Sequence, residues 1–302
     1  MPTLTLASDT INSEVKKRSE HKSPLQLAMA RFGHNRLAIF ALVLMLLIIF
    51  ISVAAPLLAP YDPIKRSIMI RLKGPSPAHW LGTDALGRDN LSRIIWGGRV
   101  SLWIGLASVF ISLVLGVPLG LIAGYSGGRI GSLIMRVMDL IQSFPSIIFA
   151  IWLVSMIGPG VNQVIVANAL FALPEFSRIV RGSVLSLQDL DYVTASKALG
   201  ASKFRIMAQH ILPNVLAPII VISSLSISGA ILSGASLSFL GLGAQPPTPE
   251  WGAMLSDGRP YMRSAWWLAV FPGLMLTLFV LASNIFGDGL RDVMDPRTAT
   301  KK

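Results

Sequence analysis

The chain has 302 residues, of which 53% are hydrophobic and only 14% are charged. Soluble domains carry about 25% charged residues, so this composition, with its long apolar runs, excludes one large soluble core. The net charge of +11 suggests nucleic acid as a partner, but no basic stripe alternates with aromatic residues. We therefore expect Lys and Arg to flank membrane spans beside a lipid bilayer, with no nucleic-acid partner. The lack of cysteine excludes disulfides and thiolate metal sites.

In chain order, a polar N-terminal tail precedes six long apolar runs. The tail covers residues 1–36, and the first run covers 37–58. A membrane-spanning helix needs about 20 residues, which each run supplies. The sequence therefore predicts an all-α integral membrane protein with about six transmembrane helices. The five later runs lie at about 100–124, 133–157, 160–181, 213–239 and 265–287.

The charge distribution predicts the orientation of these spans. Six spans place both termini on one side, and most of the 26 Lys and Arg residues fall in the tail and loops of that side. Basic residues concentrate on the cytoplasmic side of membrane proteins, so both termini are predicted to be cytoplasmic. The segment before the second run is basic but outer, and Leu91, Ile94 and Ile95 predict a helix lying in the outer interface there.

Proline and glycine mark the later spans. Each of the last five spans holds one proline, which predicts kinks. Glycines at a spacing of four residues in the second span predict close helix packing. Tight packing and a moving pathway both remain open as explanations. The prolines are Pro118, Pro145, Pro174, Pro218 and Pro272, and the glycines are Gly116, Gly120 and Gly124.

The fifth span is rich in hydroxyl groups. Ser226, Gly229, Ala230 and Ser233 share one helical face. Small and hydroxylated side chains either let another helix approach closely or line a wettable pathway. These four residues are therefore candidates for lining a pathway.

The sequence carries no recognisable catalytic constellation. It has no phosphate-binding loop, zinc-protease helix or nucleophile elbow, so we expect no catalytic residue, metal or bound cofactor. Ionisable residues in the spans are Asp139, Glu175 and Arg178. Glu175 and Arg178 lie one helical turn apart and are predicted to pair. A proton-coupled carrier would show an unpaired acid near mid-membrane, so transport would need an outside energy source.

The loop between the fourth and fifth spans is predicted to form two short helices broken at Gly200. Asp189 or Asp191 would cap the first helix. The loop resembles the "EAA" coupling loop of bacterial ABC importer permeases, with Thr194–Ala195–Ser196 in place of the usual motif. In that family the loop inserts into a cleft of the cytoplasmic ATPase, which the resemblance implies for Tyr192, Thr194, Ala195, Ser196, Lys197, Gly200, Ala201, Ser202, Phe204, Leu212 and Pro213.

Further motifs resemble the dipeptide/oligopeptide/nickel permease family of ABC importers over residues 31–297. They lie at residues 79–84, 87–89, 123–125, 239–252 and 287–292. The resemblance implies a type I ABC importer permease fold. It also implies a six-span permease domain, 37–302, that carries an outer segment at 59–99, a cytoplasmic coupling loop at 182–212 and an outer loop at 241–264.

The resemblance further implies a non-catalytic subunit that forms half of a translocation pathway in the bacterial cytoplasmic membrane. Its partners would be a second, related permease, two ATPase subunits that bind ATP and Mg, and an extracytoplasmic solute-binding protein. The solute stays open among dipeptides, longer peptides, glutathione, nickel complexes and opine-like compounds. A lone secondary carrier and a membrane-bound enzyme or scaffold are the alternatives.

Residues of the outer motifs have two possible roles. Asp84, Arg88 and Asp89 form either a structural ion-pair network or a seat for the solute-binding protein. The proline-rich stretch at 245–249 forms a rigid turn. Either the same docking role or a structural one is predicted for Gln245, Glu250 and Trp251.

Overall fold

The computed structural model describes residues 32–33 and 35–294, so most of the predicted tail lies outside the described residues. Within these residues the chain is built of helices, with one isolated bridge between Thr83 and Asp89. The helices are α1 Arg36–Val53, α2 Ala55–Leu58, α3 Asn90–Ser126, α4 Gly128–Gln142, α5 Ser146–Ile157, α6 Val161–Leu187, α7 Asp191–Ala198, α8 Lys203–Ile206, α9 Leu212–Phe239, α10 Trp251–Gly258 and α11 Trp267–Met294.

The prediction of about six transmembrane helices is confirmed. α1, α3, α6 and α11 are each long and apolar enough to cross a membrane, and so is the continuous stretch Lys203–Phe239. This stretch joins α8 to α9 through a π-helical turn at Met207–Ile211. The pair α4 and α5, whose axes meet at 89°, makes a sixth span if the two helices together cross the membrane.

The bend between α4 and α5 corrects the continuous span predicted at 133–157. Pro145 has φ −58° and ψ 133°, an extended conformation that ends the helical path. The four other span prolines stay inside their helices. Around Pro145, residues 143–148 are all exposed, so no packed neighbour within the described chain holds the backbone in a continuous helix.

Glycines bring α3 and α6 into close contact, as their spacing predicted. A Cβ atom on Gly120 would lie 2.6 Å from the Ser177 carbonyl oxygen, and one on Gly124 would lie 2.6 Å from Cβ of Val184. Ser177 also donates a hydrogen bond to the Gly116 carbonyl oxygen (3.1 Å). The two helices thus pack backbone to backbone at the centre of the bundle.

The predicted interfacial helix around residues 91–99 is wrong. The Asp89 carboxylate caps the start of α3 by accepting from Ser92 N (2.8 Å), and the helix runs from Asn90 to Ser126 without a break. Ile94 and Ile95 are buried against protein. The rest of the outer segment, residues 59–89, has irregular structure apart from a 3-10 turn at Ile68–Ile70.

Candidate functional site

The coupling loop stands on a buried base and presents an exposed rim. Val193 and Ile206 are buried in a cluster with Val180 and Val184 of α6, which anchors the loop to the bundle. Above them, Leu199 is 88% exposed and Phe204 is 77% exposed. Exposed apolar patches mark sites of protein interaction, so this rim is a candidate docking surface.

The turn between α7 and α8 requires glycine. Gly200 has φ +81°, in the left-handed region, and a Cβ atom added there would meet nothing within 4 Å. The glycine therefore serves the backbone conformation, since the described chain leaves open space at this position. Ser202 then starts α8 by accepting a hydrogen bond from Arg205 N (3.3 Å).

The other predicted coupling residues mostly share this surface. Tyr192 is 43% exposed, and Lys197 donates to the Gln188 carbonyl oxygen (3.0 Å) across the loop. The proposed acidic cap is wrong, because Leu190 occupies the N-cap position of α7 without a side-chain bond, and Asp191 is the first helical residue. Thr194, Ala195 and Pro213 are exposed, whereas Ser196, Ala201 and Leu212 are partly buried.

The four candidate pathway residues on α9 divide between packing and open space. Ser233 donates to the Asn168 side-chain oxygen (2.8 Å), and Asn168 in turn donates to the Ala230 carbonyl oxygen (3.1 Å). Asn168 therefore fastens α6 to α9, a role that the sequence analysis missed. Gly229 is exposed and has no neighbour within 4 Å of an added Cβ atom, and Ser226 is partly buried.

The charged residues within the spans pair differently from the prediction. Arg178 donates to Asp139 on α4 at 2.6 Å, and both side chains are about half exposed. The predicted pair of Glu175 with Arg178 is wrong, because Arg178 turns toward the neighbouring helix. Glu175 is exposed on the same face of α6 and makes no ion pair among the described residues.

The predicted outer residues Asp84, Arg88 and Asp89 are buried in a network of ion pairs and hydrogen bonds. Asp84 accepts from Arg88 Nε at 2.5 Å and from the Leu86 and Arg88 backbone N–H groups. Asp89 accepts from both the backbone N–H and the hydroxyl of Ser92, and lies 2.8 Å from a ring nitrogen of His79. Their contacts fix the loop and the start of α3.

Glu250 and Trp251 are wholly buried. Glu250 caps α10 by accepting from Gly252 N (3.0 Å) and Ala253 N (2.8 Å), and it accepts from the Ser101 hydroxyl (2.8 Å). Trp251 donates from its indole nitrogen to the Ile94 carbonyl oxygen (2.9 Å). These contacts join α10 to α3.

A cavity of about 490 Å³ lies beside this network, between the outer segment and the loop at 241–264. Arg88, Arg93, Asp257 and Gln245 line it. Partial burial raises the pKa of the Asp257 carboxyl, and the nearby Arg93 and Arg88 lower it by less. Gln245 donates to the carbonyl oxygens of Gly241 and Gly243, each at 3.0 Å, which shapes the wall of the cavity.

Five long apolar helices, a bent pair of apolar helices and an exposed loop before the last two spans define a polytopic membrane protein. Residues 116–300 match the family described as binding-protein-dependent transport system inner membrane component, and residues 23–75 match the N-terminal TM domain of oligopeptide transport permease C.

Curated relatives match almost the whole chain. The di/tripeptide transport system permease protein DppC of Pseudomonas aeruginosa is 48% identical over 92% of this chain and 93% of its own length. The glutathione transport system permease protein GsiD of Pectobacterium atrosepticum is 46% identical over 91% and 92%. The chain therefore belongs to the inner-membrane permeases of binding-protein-dependent ABC importers, in the dipeptide/oligopeptide branch that its motifs predicted.

The fold of this family is also found among solved structures. An inward-facing structure of the MetNI methionine ABC transporter contains a chain that is 20% identical and superposes with a TM-score of 0.55. The match covers 67% of this chain and 97% of that chain. This likeness confirms the predicted importer permease fold.

Proposed function

We propose that this chain forms half of the translocation pathway of an ATP-driven importer and couples that pathway to cytoplasmic ATPase subunits. The coupling loop carries the proposal, because Leu199 and Phe204 project from it above a base that is buried in the bundle. An ATPase that binds the rim can move the loop, and the buried base transmits that movement to α6 and α9.

The transporter would also contain a second, related permease and an extracytoplasmic solute-binding protein. ATP and Mg would bind to the two ATPase subunits, so this chain would be a non-catalytic subunit without a cofactor of its own. ATP binding would bring the coupling loops together and open the pathway outward, and hydrolysis would reset it. Two such states, which the ligands bind with different affinity, are what alternating access requires.

The solute we propose is a dipeptide, an oligopeptide or a related small molecule. Two relatives carry di/tripeptide and glutathione transport in their names, and both are similar to this chain over more than nine tenths of its length. The bacterial cytoplasmic membrane, with both termini in the cytoplasm, is the location we propose.

A lone proton-coupled carrier is the second candidate, and the structure gives one observation in its favour. Glu175 is an acid within a span that makes no ion pair among the described residues, whereas the sequence had predicted a partner for it. Family membership favours the importer. The two functions differ in energy source, because the carrier would respond to a proton gradient without ATP.

Purification of tagged protein in mild detergent, with mass spectrometry of the bound chains and an ATPase assay, tests the proposal. We expect a second permease, ATPase subunits and activity that the binding protein stimulates. Recovery of this chain alone, with uptake into vesicles driven by a proton gradient, would contradict the proposal and support the carrier.

Phe204→Ala tests the coupling loop directly. Phe204 is exposed, so we expect the variant to fold normally and to recover less ATPase in the same purification. Met69→Ala removes a side chain that is 92% exposed in the outer segment and serves as the matched control. Equal ATPase recovery in both variants would contradict the docking role.

A further inference from the structure

Charged side chains lie on the open face of α6. Glu175 and Arg178 are both exposed on this helix, and Asp139 of α4 contacts Arg178 from the side. The opposite face of α6 is buried against α3 through Phe176, Ser177 and neighbouring residues. The charges therefore point away from the core of this chain.

These charges lie within the fourth predicted span, residues 160–181. At 1.5 Å per residue, Glu175 lies roughly 9 Å from the cytoplasmic end of that span. Charged groups at this depth face protein or a water-filled cavity, because contact with lipid is costly. The open face of α1 contrasts with this, since its half-exposed side chains are apolar ones such as Phe40, Leu47 and Phe50.

The arrangement offers both signs of charge at a short separation. Residues three apart on a helix have Cβ atoms about 5–6 Å apart. An extended dipeptide, at about 3.5 Å per residue, places its amino and carboxylate groups at a similar separation of about 7 Å. The Arg178 guanidinium has five N–H donors, and the contact with Asp139 engages one nitrogen, so donors remain for another carboxylate.

We propose that Glu175 and Arg178 form a contact site for a zwitterionic solute in the pathway. Glu175 accepts from the ammonium group, and Arg178, which Asp139 holds in place, donates to the carboxylate. The proposal rests on the proposed transport function and names permease residues that contact the solute directly, in addition to the selection made by the binding protein.

Single-cysteine labelling tests whether Glu175 faces water. The chain contains no cysteine, so Glu175→Cys supplies its one thiol. We expect a hydrophilic methanethiosulfonate reagent to modify this thiol in the assembled transporter, as measured by the mass of this chain. Leu46→Cys on the apolar face of α1 is the control, and we expect it to react at least about tenfold more slowly because lipid excludes the reagent. Equal rates would overturn the proposal.

The same cysteine separates the effect of charge from that of shape. Reaction with 2-sulfonatoethyl methanethiosulfonate restores a negative charge, whereas 2-aminoethyl methanethiosulfonate adds a positive charge of similar size. We expect ATP-driven dipeptide uptake to be about tenfold faster after the anionic modification than after the cationic one. The anionic group can accept a hydrogen bond from the ammonium group of the solute, whereas the cationic group cannot. The wild-type transporter, in which this chain has no cysteine, is treated with each reagent in parallel. Any change in its uptake measures the reaction of thiols on partner subunits.

Direct substitutions complete the test. We expect Glu175→Gln to slow dipeptide uptake about tenfold with binding-protein-stimulated ATPase activity retained, and Glu175→Asp to restore most of the uptake. Asp62→Asn removes an exposed carboxylate of the outer segment and serves as the charge control. Wild-type uptake by Glu175→Gln would overturn the contact site, whereas absence of ATP-driven uptake in the wild type would overturn the proposed function instead.

Discussion

Single buried polar residues hold the outer end of the bundle together. Glu250 satisfies two N–H groups at the start of α10 and the Ser101 hydroxyl of α3, and all three partners lie within 3.0 Å. Because both carboxylate oxygens accept hydrogen bonds, Glu250 joins α10 to α3, although the two helices are far apart in sequence. The same residue lies in a loop that the sequence offered for either docking or structure.

Loss of this carboxylate should destabilise the protein. We expect Glu250→Ala to lower the free energy of unfolding by about 2 kcal/mol, because it removes a helix cap and leaves buried donors unpaired. Glu250→Gln keeps one acceptor oxygen and should lose less. Thermal unfolding of the purified transporter in detergent measures both, and an Ala variant as stable as the Gln variant would contradict the capping role.

Spacing along the chain predicted local contacts at the residue scale but not the partners across helices. It placed Arg178 beside Glu175, one turn away, whereas the guanidinium reaches Asp139, 39 residues earlier. Asn168 was missed for the same reason, since its partners lie on α9. A polar residue in a span signals that some partner exists, but which helix supplies it depends on tertiary packing.

Among the helices, the contact that the sequence predicted best is the one between α3 and α6. The glycine spacing in α3 correctly predicted a close approach.

The size of the bend at Pro145 was not predictable from the sequence, because proline also occurs within four continuous spans. What differs at Pro145 is that the flanking residues are exposed, so the surrounding structure does not hold the helix straight.

The close approach of α3 and α6 gives a prediction with a matched control. Gly120→Ala places a Cβ atom 2.6 Å from the Ser177 carbonyl oxygen and 2.7 Å from Val180 Cβ, so we expect a loss of about 1–3 kcal/mol in stability. Gly182→Ala lies on the open face of α6 and meets nothing within 4 Å, so we expect it to be neutral or stabilising by up to about 1 kcal/mol. Thermal unfolding that ranks the two variants in the reverse order would contradict the packing.

The turn in the coupling loop gives a second prediction at this scale. Gly200 needs a positive φ, which β-branched residues tolerate poorly and asparagine tolerates better. We expect Gly200→Val to reduce binding-protein-stimulated ATPase activity strongly and Gly200→Asn to reduce it less. If the two variants lose the same activity while remaining assembled, the bulk at the docking surface matters, and the backbone conformation does not.

At the scale of the whole molecule, the sequence predicted the number of spans but not which faces meet lipid. Apolar residues cover open surfaces throughout the bundle, so composition does not separate a lipid face from a subunit interface. The structure marks one surface for which lipid is an unfavourable neighbour, the face of α6 that carries Glu175 and Arg178.

The orientation of the bundle is the last prediction, and the lack of cysteine makes it directly testable. Met69 in the predicted outer segment is 92% exposed, and Leu199 in the predicted cytoplasmic loop is 88% exposed. In cells that lack the ATPase subunits, so that the docking surface is free, a cysteine at either position should react with a thiol reagent. We expect a membrane-impermeant maleimide to label Met69→Cys in intact spheroplasts and to label Leu199→Cys only after permeabilisation. The basic residues on the side of the termini favour this orientation. Labelling of Leu199→Cys from outside would invert the bundle and place the coupling loop where no cytoplasmic ATPase reaches it.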